Sequence, residues 1–120
     1  MHEYSIVNAL LEQSCEIATA NNAHNVAKIV VGIGRHSGVD GELLANTFEV
    51  FRNDYTLCQN AVLEIKKQDI VLFCKECKQE STPKELPYSV CQKCGSNSVE
   101  IIQGRELLLL SLELETKENA

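Results

Sequence analysis

The sequence predicts an α+β fold: a three-stranded sheet with two helices packed on one face, and a small cysteine-rich domain inserted ahead of the last strand. Three observations predict it. Two segments carry apolar residues at three- and four-residue steps, and three others are β-branched or alternate between apolar and polar residues. Residues 70–103 differ from both kinds, holding four of the six cysteines and both prolines but few large apolar residues away from their ends. A chain of 120 residues, 44% of them apolar, can build one modest core with an appendage, hardly two large domains.

The first helix is expected over residues 5–21, where Ile6, Val7, Leu10, Leu11, Ile17 and Ala18 share a face. Asn21 and Asn22 end it, and VAKIVVGIG, residues 26–34, reads as a strand. RHSGVDG forms the following loop. Asp40 caps a second helix running to about Arg52, with Leu43, Leu44, Phe48 and Phe51 on one side. AVLEIKK, residues 61–67, is a strand with Ala61, Leu63 and Ile65 opposite Val62, Glu64 and Lys66. The last strand is ELLLLSLELE, residues 106–115, with Leu108, Leu110, Leu112 and Leu114 on one face and Ser111, Glu113 and Glu115 on the other. TKENA is a frayed tail. The domain organisation that follows is a discontinuous α/β body of residues 1–69 and 104–120, interrupted by a domain of residues 70–103.

The net charge of -6 disfavours any phosphate backbone, so neither DNA nor RNA is expected as a partner. No run approaches the ~20 apolar residues of a membrane span, and the N-terminus has no signal-peptide pattern. A cytoplasmic protein is expected, whose cysteines are reduced and better suited to metal than to disulfides.

Cys74, Cys77, Cys91 and Cys94 form CxxC-x13-CxxC. Each CxxC turn directs two thiolates at one point, and two such turns complete a tetrahedron. Zn(II) fits because its filled d shell imposes no competing geometry, and four sulfurs leave no open position, which makes the site structural and the domain zinc-ribbon-like. So short a segment cannot fold on buried apolar surface alone, so the metal supplies about 10 kcal/mol or more of its folding free energy. The alternatives are an iron site, a pair of disulfides or a redox dithiol, and two matched pairs exceed what one dithiol switch needs. The charged residues between Cys74 and Cys94 nearly balance, so the segment is no phosphate clamp. Cys15 lies on the apolar stripe of the first helix and reads as a core thiol; Cys58, ahead of a strand, also reads as structural.

The chain opens MHEYSIV. The amine of Met1, the amide nitrogen of His2 and the His2 Nδ1 can close fused five- and six-membered chelate rings in one plane, an arrangement that Ni(II) and Cu(II) favour and zinc does not. The first amides of a helix have no intrahelical acceptor, so recruiting one for a metal breaks no helical bond. The ordinary alternative is that His2 is an exposed polar residue at a helix start.

With MHEYSIV at its start, VVGIG after the first helix, the CxxC-x13-CxxC insert and a leucine-rich last strand, the chain resembles the HypA family of hydrogenase nickel-incorporation proteins along essentially its full length. The resemblance implies a metallochaperone and no enzyme. It implies Ni(II) as transferred cargo bound through His2 and the Met1 amine, Zn(II) held structurally by the four cysteines, and delivery to [NiFe]-hydrogenase. The partners it implies are a HypB-type GTPase, for which the first helix and its metal-bearing end are the docking face we expect, and the hydrogenase large-subunit assembly complex. In some bacteria they include urease maturation factors. Glu3 matches the family motif and is a candidate to orient His2, beside the plain reading of a carboxylate at a helix start. Asp40 matches a position near the nickel site, beside its reading as a helix cap. Lys78 and Gly95 stand where some members carry histidine after each CxxC, and the remaining histidines, His24 and His36, read as exposed, with His36 a candidate auxiliary nickel ligand. A monomer or weak homodimer is expected. The rival reading is a zinc-ribbon adaptor or regulatory protein without nickel transfer.

Overall fold

The computed structural model describes residues 3–84 and 88–116. Helix α1 spans Glu3–Ala20 and buries Glu3, Val7, Leu10, Leu11, Ser14 and Ala18, the three- and four-residue steps of one helical face. It starts two residues before the expected position. At its end the amide of Asn21 donates to the carbonyls of Ile17 and Ala18, and Asn22 adopts φ 59°, a left-handed conformation that asparagine tolerates. That single residue reverses the chain, so β1, Ala23–Gly34, begins three residues earlier than its β-branched run suggests.

Helix α2, Gly41–Phe51, is capped by Asp40, whose carboxylate accepts from the amides of Glu42 and Leu43. Leu44 and Phe48 are its fully buried residues, whereas Leu43, expected on the same face, is 48% exposed. Successive helical residues are ~100° apart, so an arc centred on Leu44 and Phe48 leaves Leu43 on the rim. Two 3-10 turns, Arg52–Asp54 and Thr56–Cys58, lead to β2, Val62–Gln68.

The remaining strands are β3, Val71–Cys74; β4, Glu80–Ser81; β5, Val99–Gln103; and β6, Leu107–Thr116. They form two three-stranded sheets, ordered β2-β1-β6 and β4-β3-β5. The fold is α+β. In the first sheet Lys28 on β1 reaches Glu64 on β2 at 3.1 Å and Glu113 on β6 at 3.7 Å, a polar ladder across all three strands. On β6 the half-buried residues are Leu107, Leu109, Leu112 and Leu114, while Leu108 and Leu110 are each 41% exposed. The alternation therefore reverses phase at Leu110 and Ser111, as it does wherever one extra residue is inserted into a strand. Strict alternation over Leu108 to Leu114 does not hold.

By compactness the chain divides into two units. The first takes α1, β1 as far as Val31, Val39–Lys66 and β6 from Leu108. Its core is Val7, Leu11, Ala18, Val26, Ile29, Val31, Leu44 and Phe48, all without exposure. The second takes Gly32–Gly38 and Lys67–Leu107. There the backbone of Gly34 lies so close to Gly104 that a Cβ on Gly34 would stand 2.3 Å from the Gly104 carbonyl carbon. The Gly34 amide donates to the Glu106 carbonyl, Arg35 to Gln68 and His36 to Gly104, which seats the end of β1 among the segments flanking the cysteines. Among the described residues no helix is long and apolar enough to cross a membrane.

Candidate metal centre

The second sheet presents the two CxxC turns. Strand β3 is central and pairs antiparallel with β4, Leu72 opposite Ser81, and with β5, Cys74 opposite Val99. Cys74 closes β3, the second CxxC precedes β5, and the four Sγ atoms lie within 4.8 Å of one another.

The two turns are built alike. In the first, the Lys78 amide donates to the Cys74 carbonyl at 2.9 Å and the Cys74 amide to the Gln79 carbonyl at 3.0 Å. In the second, Gly95 donates to Cys91 at 2.9 Å and Cys91 to Ser96 at 2.9 Å. Both Lys78 and Gly95 take positive φ, 61° and 79°, which folds each turn back so that its amides face sulfur. Cys77 donates its amide to Cys74 Sγ at 3.4 Å, and Lys93 and Cys94 donate theirs to Cys91 Sγ at 3.3 and 3.4 Å. Ser81 Oγ accepts from the Gln92 amide, and Lys93 Nζ from the second turn reaches Gln79 Oε1 beyond the first. These supporting groups carry no sequence signature beyond the residue that follows each CxxC.

Such amide donors sort the sulfurs. Cys91 is lowered to about 6, first by the Cys94 amide and then by that of Lys93, and Cys74 is lowered chiefly by the Cys77 amide. Burial raises Cys77. For Cys94 the Ser96 amide pulls down, but the Cys74 sulfur, burial and the Cys91 and Cys77 sulfurs outweigh it and push the thiol up to about 12. Four crowded thiols thus share their negative charge unequally, and a cation at their centre would remove the penalty on the other two. The fit to a tetrahedral ion is direct: Zn–S bonds of ~2.3 Å set S···S edges of about 3.8 Å, and Cys74–Cys94 and Cys77–Cys91 stand at 3.5 and 3.7 Å.

Of the N-terminal candidates, Met1 and His2 lie outside the described residues. Glu3 is 9% exposed, and its Oε2 accepts from the Asp40 amide at 3.2 Å. Glu3 and Asp40, 37 positions apart, are therefore together. His24 and His36 are exposed, the latter with its ring 6.0 Å from that of Tyr88. Sequence reasoning missed one pairing altogether: the thiols of Cys15 and Cys58 are 3.6 Å apart. No spacing rule could have found it, because the contact depends on how the segment after α2 packs on α1.

An α+β chain with a closed four-thiol cluster on two matched turns, and a second carboxylate-bearing locus at a helix start, belongs to the class of metal-handling proteins. A profile described as "Hydrogenase/urease nickel incorporation, metallochaperone, hypA" matches residues 1–114. The chain is 45% identical over 115 residues to the hydrogenase maturation factor HypA of Helicobacter hepaticus, covering 96% of this chain and 98% of that one. It is 44% identical over 114 residues to the hydrogenase/urease maturation factor HypA of Helicobacter pylori, covering 95% and 97%. The solution structure of the Ni metallochaperone HypA from Helicobacter pylori superposes with a TM-score of 0.76 at 43% identity, over 98% of this chain and 100% of that one. A second solution structure of a HypA protein gives 0.79 at 43% identity, over 98% of each chain. The chain belongs to the HypA family of nickel metallochaperones, proteins that incorporate a metal into other proteins and are not themselves enzymes.

Proposed function

We propose that the chain carries Ni(II) at its N-terminus and delivers it during [NiFe]-hydrogenase maturation, while Cys74, Cys77, Cys91 and Cys94 hold a structural Zn(II). In this reading residues 1–69 and 104–120 are the nickel-binding body and residues 70–103 the zinc domain. Nickel is cargo, bound by the Met1 amine and His2 where the backbone amide lacks a helical acceptor. Zinc has no open coordination position and so is not handed on.

The observation that carries the nickel reading is the Glu3–Asp40 hydrogen bond. It ties the first described turn of α1 to the start of α2 and so brings Glu3 and Asp40 together. A carboxylate there also offers negative charge to a cation, with Asp40 beside it. Glu3 then acts on the metal by orienting His2 and balancing charge, and Asp40 serves both as cap and as neighbour of the cargo. A few-ligand site at a chain end exchanges its ion quickly, as delivery requires.

The partners in this reading are a HypB-type GTPase and the hydrogenase large-subunit assembly complex, in the cytoplasm, with the carrier a monomer or weak homodimer. Urease maturation factors join them where a urease is made; the name of the Helicobacter pylori relative includes both pathways. For the GTPase we propose the face of α1 with its metal-bearing end. Tyr4 there is 55% exposed and packs edge-on against Phe51 at 4.6 Å, and Leu43 and Val50 on α2 add exposed apolar surface.

Equilibrium dialysis of the untagged protein with elemental analysis tests the assignment. Both His2→Ala and acetylation of the N-terminal amine should abolish nickel binding while leaving zinc at about one per chain, as the closed sulfur site requires. Nickel retained in either sample would refute the N-terminal site.

A further inference from the structure

Cys15 and Cys58 belong to neither metal locus, yet their Sγ atoms stand 3.6 Å apart across 43 positions of sequence. Cys15 is half-buried on α1, and Cys58 ends the 3-10 turn Thr56–Cys58 with no exposure. A second contact fixes the same register. The Tyr55 hydroxyl donates to Asn8 Oδ1 at 2.9 Å, so residues 8 and 15, two turns apart on one side of α1, each meet the segment 55–58. The thiols are thus brought together by the packing of two segments, not by the chance rotation of one side chain. Closing from 3.6 Å to a disulfide of ~2.05 Å requires a relative shift of about 1.5 Å, within reach of side-chain rotation and a small adjustment of a short turn.

We propose that Cys15 and Cys58 form an oxidation-sensitive dithiol, which a peroxide converts into an intramolecular disulfide that staples α1 to the segment leading into β2. Cys15 is the half-exposed partner and meets the oxidant first. Its sulfur takes one peroxide oxygen, giving a sulfenic acid as the peroxide is reduced to water. The Cys58 sulfur then attacks Cys15 Sγ; the sulfenic hydroxyl leaves with the Cys58 proton as a second water, and the S–S bond forms. Two thiols lose two electrons and one peroxide gains them. Burial, and then the neighbouring Cys15 sulfur, raise the Cys58 thiol to about 12, so Cys58 waits as a protonated, shielded partner. The other four thiols include pairs equally close, but in the zinc-loaded chain the ion occupies them, leaving this as the available dithiol.

The test uses the full chain loaded with zinc, treated with hydrogen peroxide and mapped by differential alkylation and mass spectrometry, with zinc measured in parallel. The expected product has lost two hydrogens, carries a Cys15–Cys58 linked peptide, keeps its zinc, and reverts with dithiothreitol. Closing so long a loop should raise the melting temperature by roughly 10 °C. Cys15→Ser should prevent the link while folding normally, because that side chain is half-exposed, which keeps the test open even if Cys58→Ala does not fold. Sulfinic acid accumulating at Cys15 while Cys58 stays reduced would overturn the proposal, and so would a link found only between two chains. A link between Cys74 and Cys94 beside the expected one would count against the zinc assignment and leave this proposal standing.

Discussion

In the unit built on α1 and α2, Val7, Leu11, Val26, Ile29, Val31, Leu44 and Phe48 are completely shielded, and they come from three different elements. In the unit that carries the cysteines, the large aliphatic side chains so shielded among the described residues are Ile70 and Leu72, and the next most buried groups are Cys74 and Cys91. One unit has an apolar interior; in the other, sulfur occupies the place of one. At ~1.5–3 kcal/mol per fully buried apolar side chain, the seven in the first unit contribute about three times what the two in the second can, and two such residues fall far short of the ordering entropy of a segment of about forty. The difference teaches that the two units should fail under different treatments.

Removing the metal is the sharpest way to break the comparison and should have the largest effect. If the four thiols hold zinc, its binding contributes about 10 kcal/mol or more of folding free energy to the cysteine unit and little to the other. Amide hydrogen exchange after treatment with a strong chelator should show β3 and β5 losing protection while α1, α2 and β1 as far as Val31 keep theirs. Unchanged protection in β3, or loss in both units at once, would show that the units do not differ in what holds them.

A smaller effect comes from the opposite direction. Phe48→Ala empties the centre of the apolar unit and should cost about 3–5 kcal/mol, read as a lower midpoint in denaturant, with the zinc content unchanged. Leu43→Ala, on the same helix but 48% exposed, should cost far less. Equal losses for the two variants would mean that α2 is not anchored through Leu44 and Phe48.

The same contrast explains how much could be read from the sequence. Where apolar burial organises the chain, spacing revealed it: Val7, Leu10, Leu11 and Ala18 mark α1, Leu44 and Phe48 mark α2, and the β-branched run from Val26 marks β1. Boundaries slipped where polar residues carry the conformation, as at Asn22, whose positive φ starts β1 early. In the cysteine unit the CxxC spacing disclosed the donor set, but β3, β4 and β5 stayed hidden. Two to five residues leave no room for a periodic signal, and their register is set by where the turns aim the sulfurs. The phase reversal on β6 was invisible because leucine stands on both sides of it, so composition cannot report which face each residue takes. Long-range pairs such as Glu3 with Asp40, or Cys15 with Cys58, exist only once helices and turns are packed.

The smallest predicted effect separates the two turns of the cluster itself, which share their backbone hydrogen bonds but not the residue at positive φ. Gly95 holds φ 79° without strain, while Lys78 holds φ 61° with a side chain attached. An L residue there costs about 1 kcal/mol, and glycine returns part of that by making the unfolded chain more flexible, so Lys78→Gly should gain a few tenths to about 1 kcal/mol. Gly95→Ala should lose a comparable amount. No atom lies within 4 Å of where its Cβ would sit, so that loss would come from backbone conformation alone. Zinc release in competition with a chromogenic chelator reads both changes: slower for Lys78→Gly and faster for Gly95→Ala if the positive φ at each turn is what aims its amides at sulfur. Faster release from Lys78→Gly would mean instead that the exposed Lys78 ammonium, near a cluster whose four thiolates outweigh one divalent ion by two charges, stabilises that charge by more than its backbone strain costs.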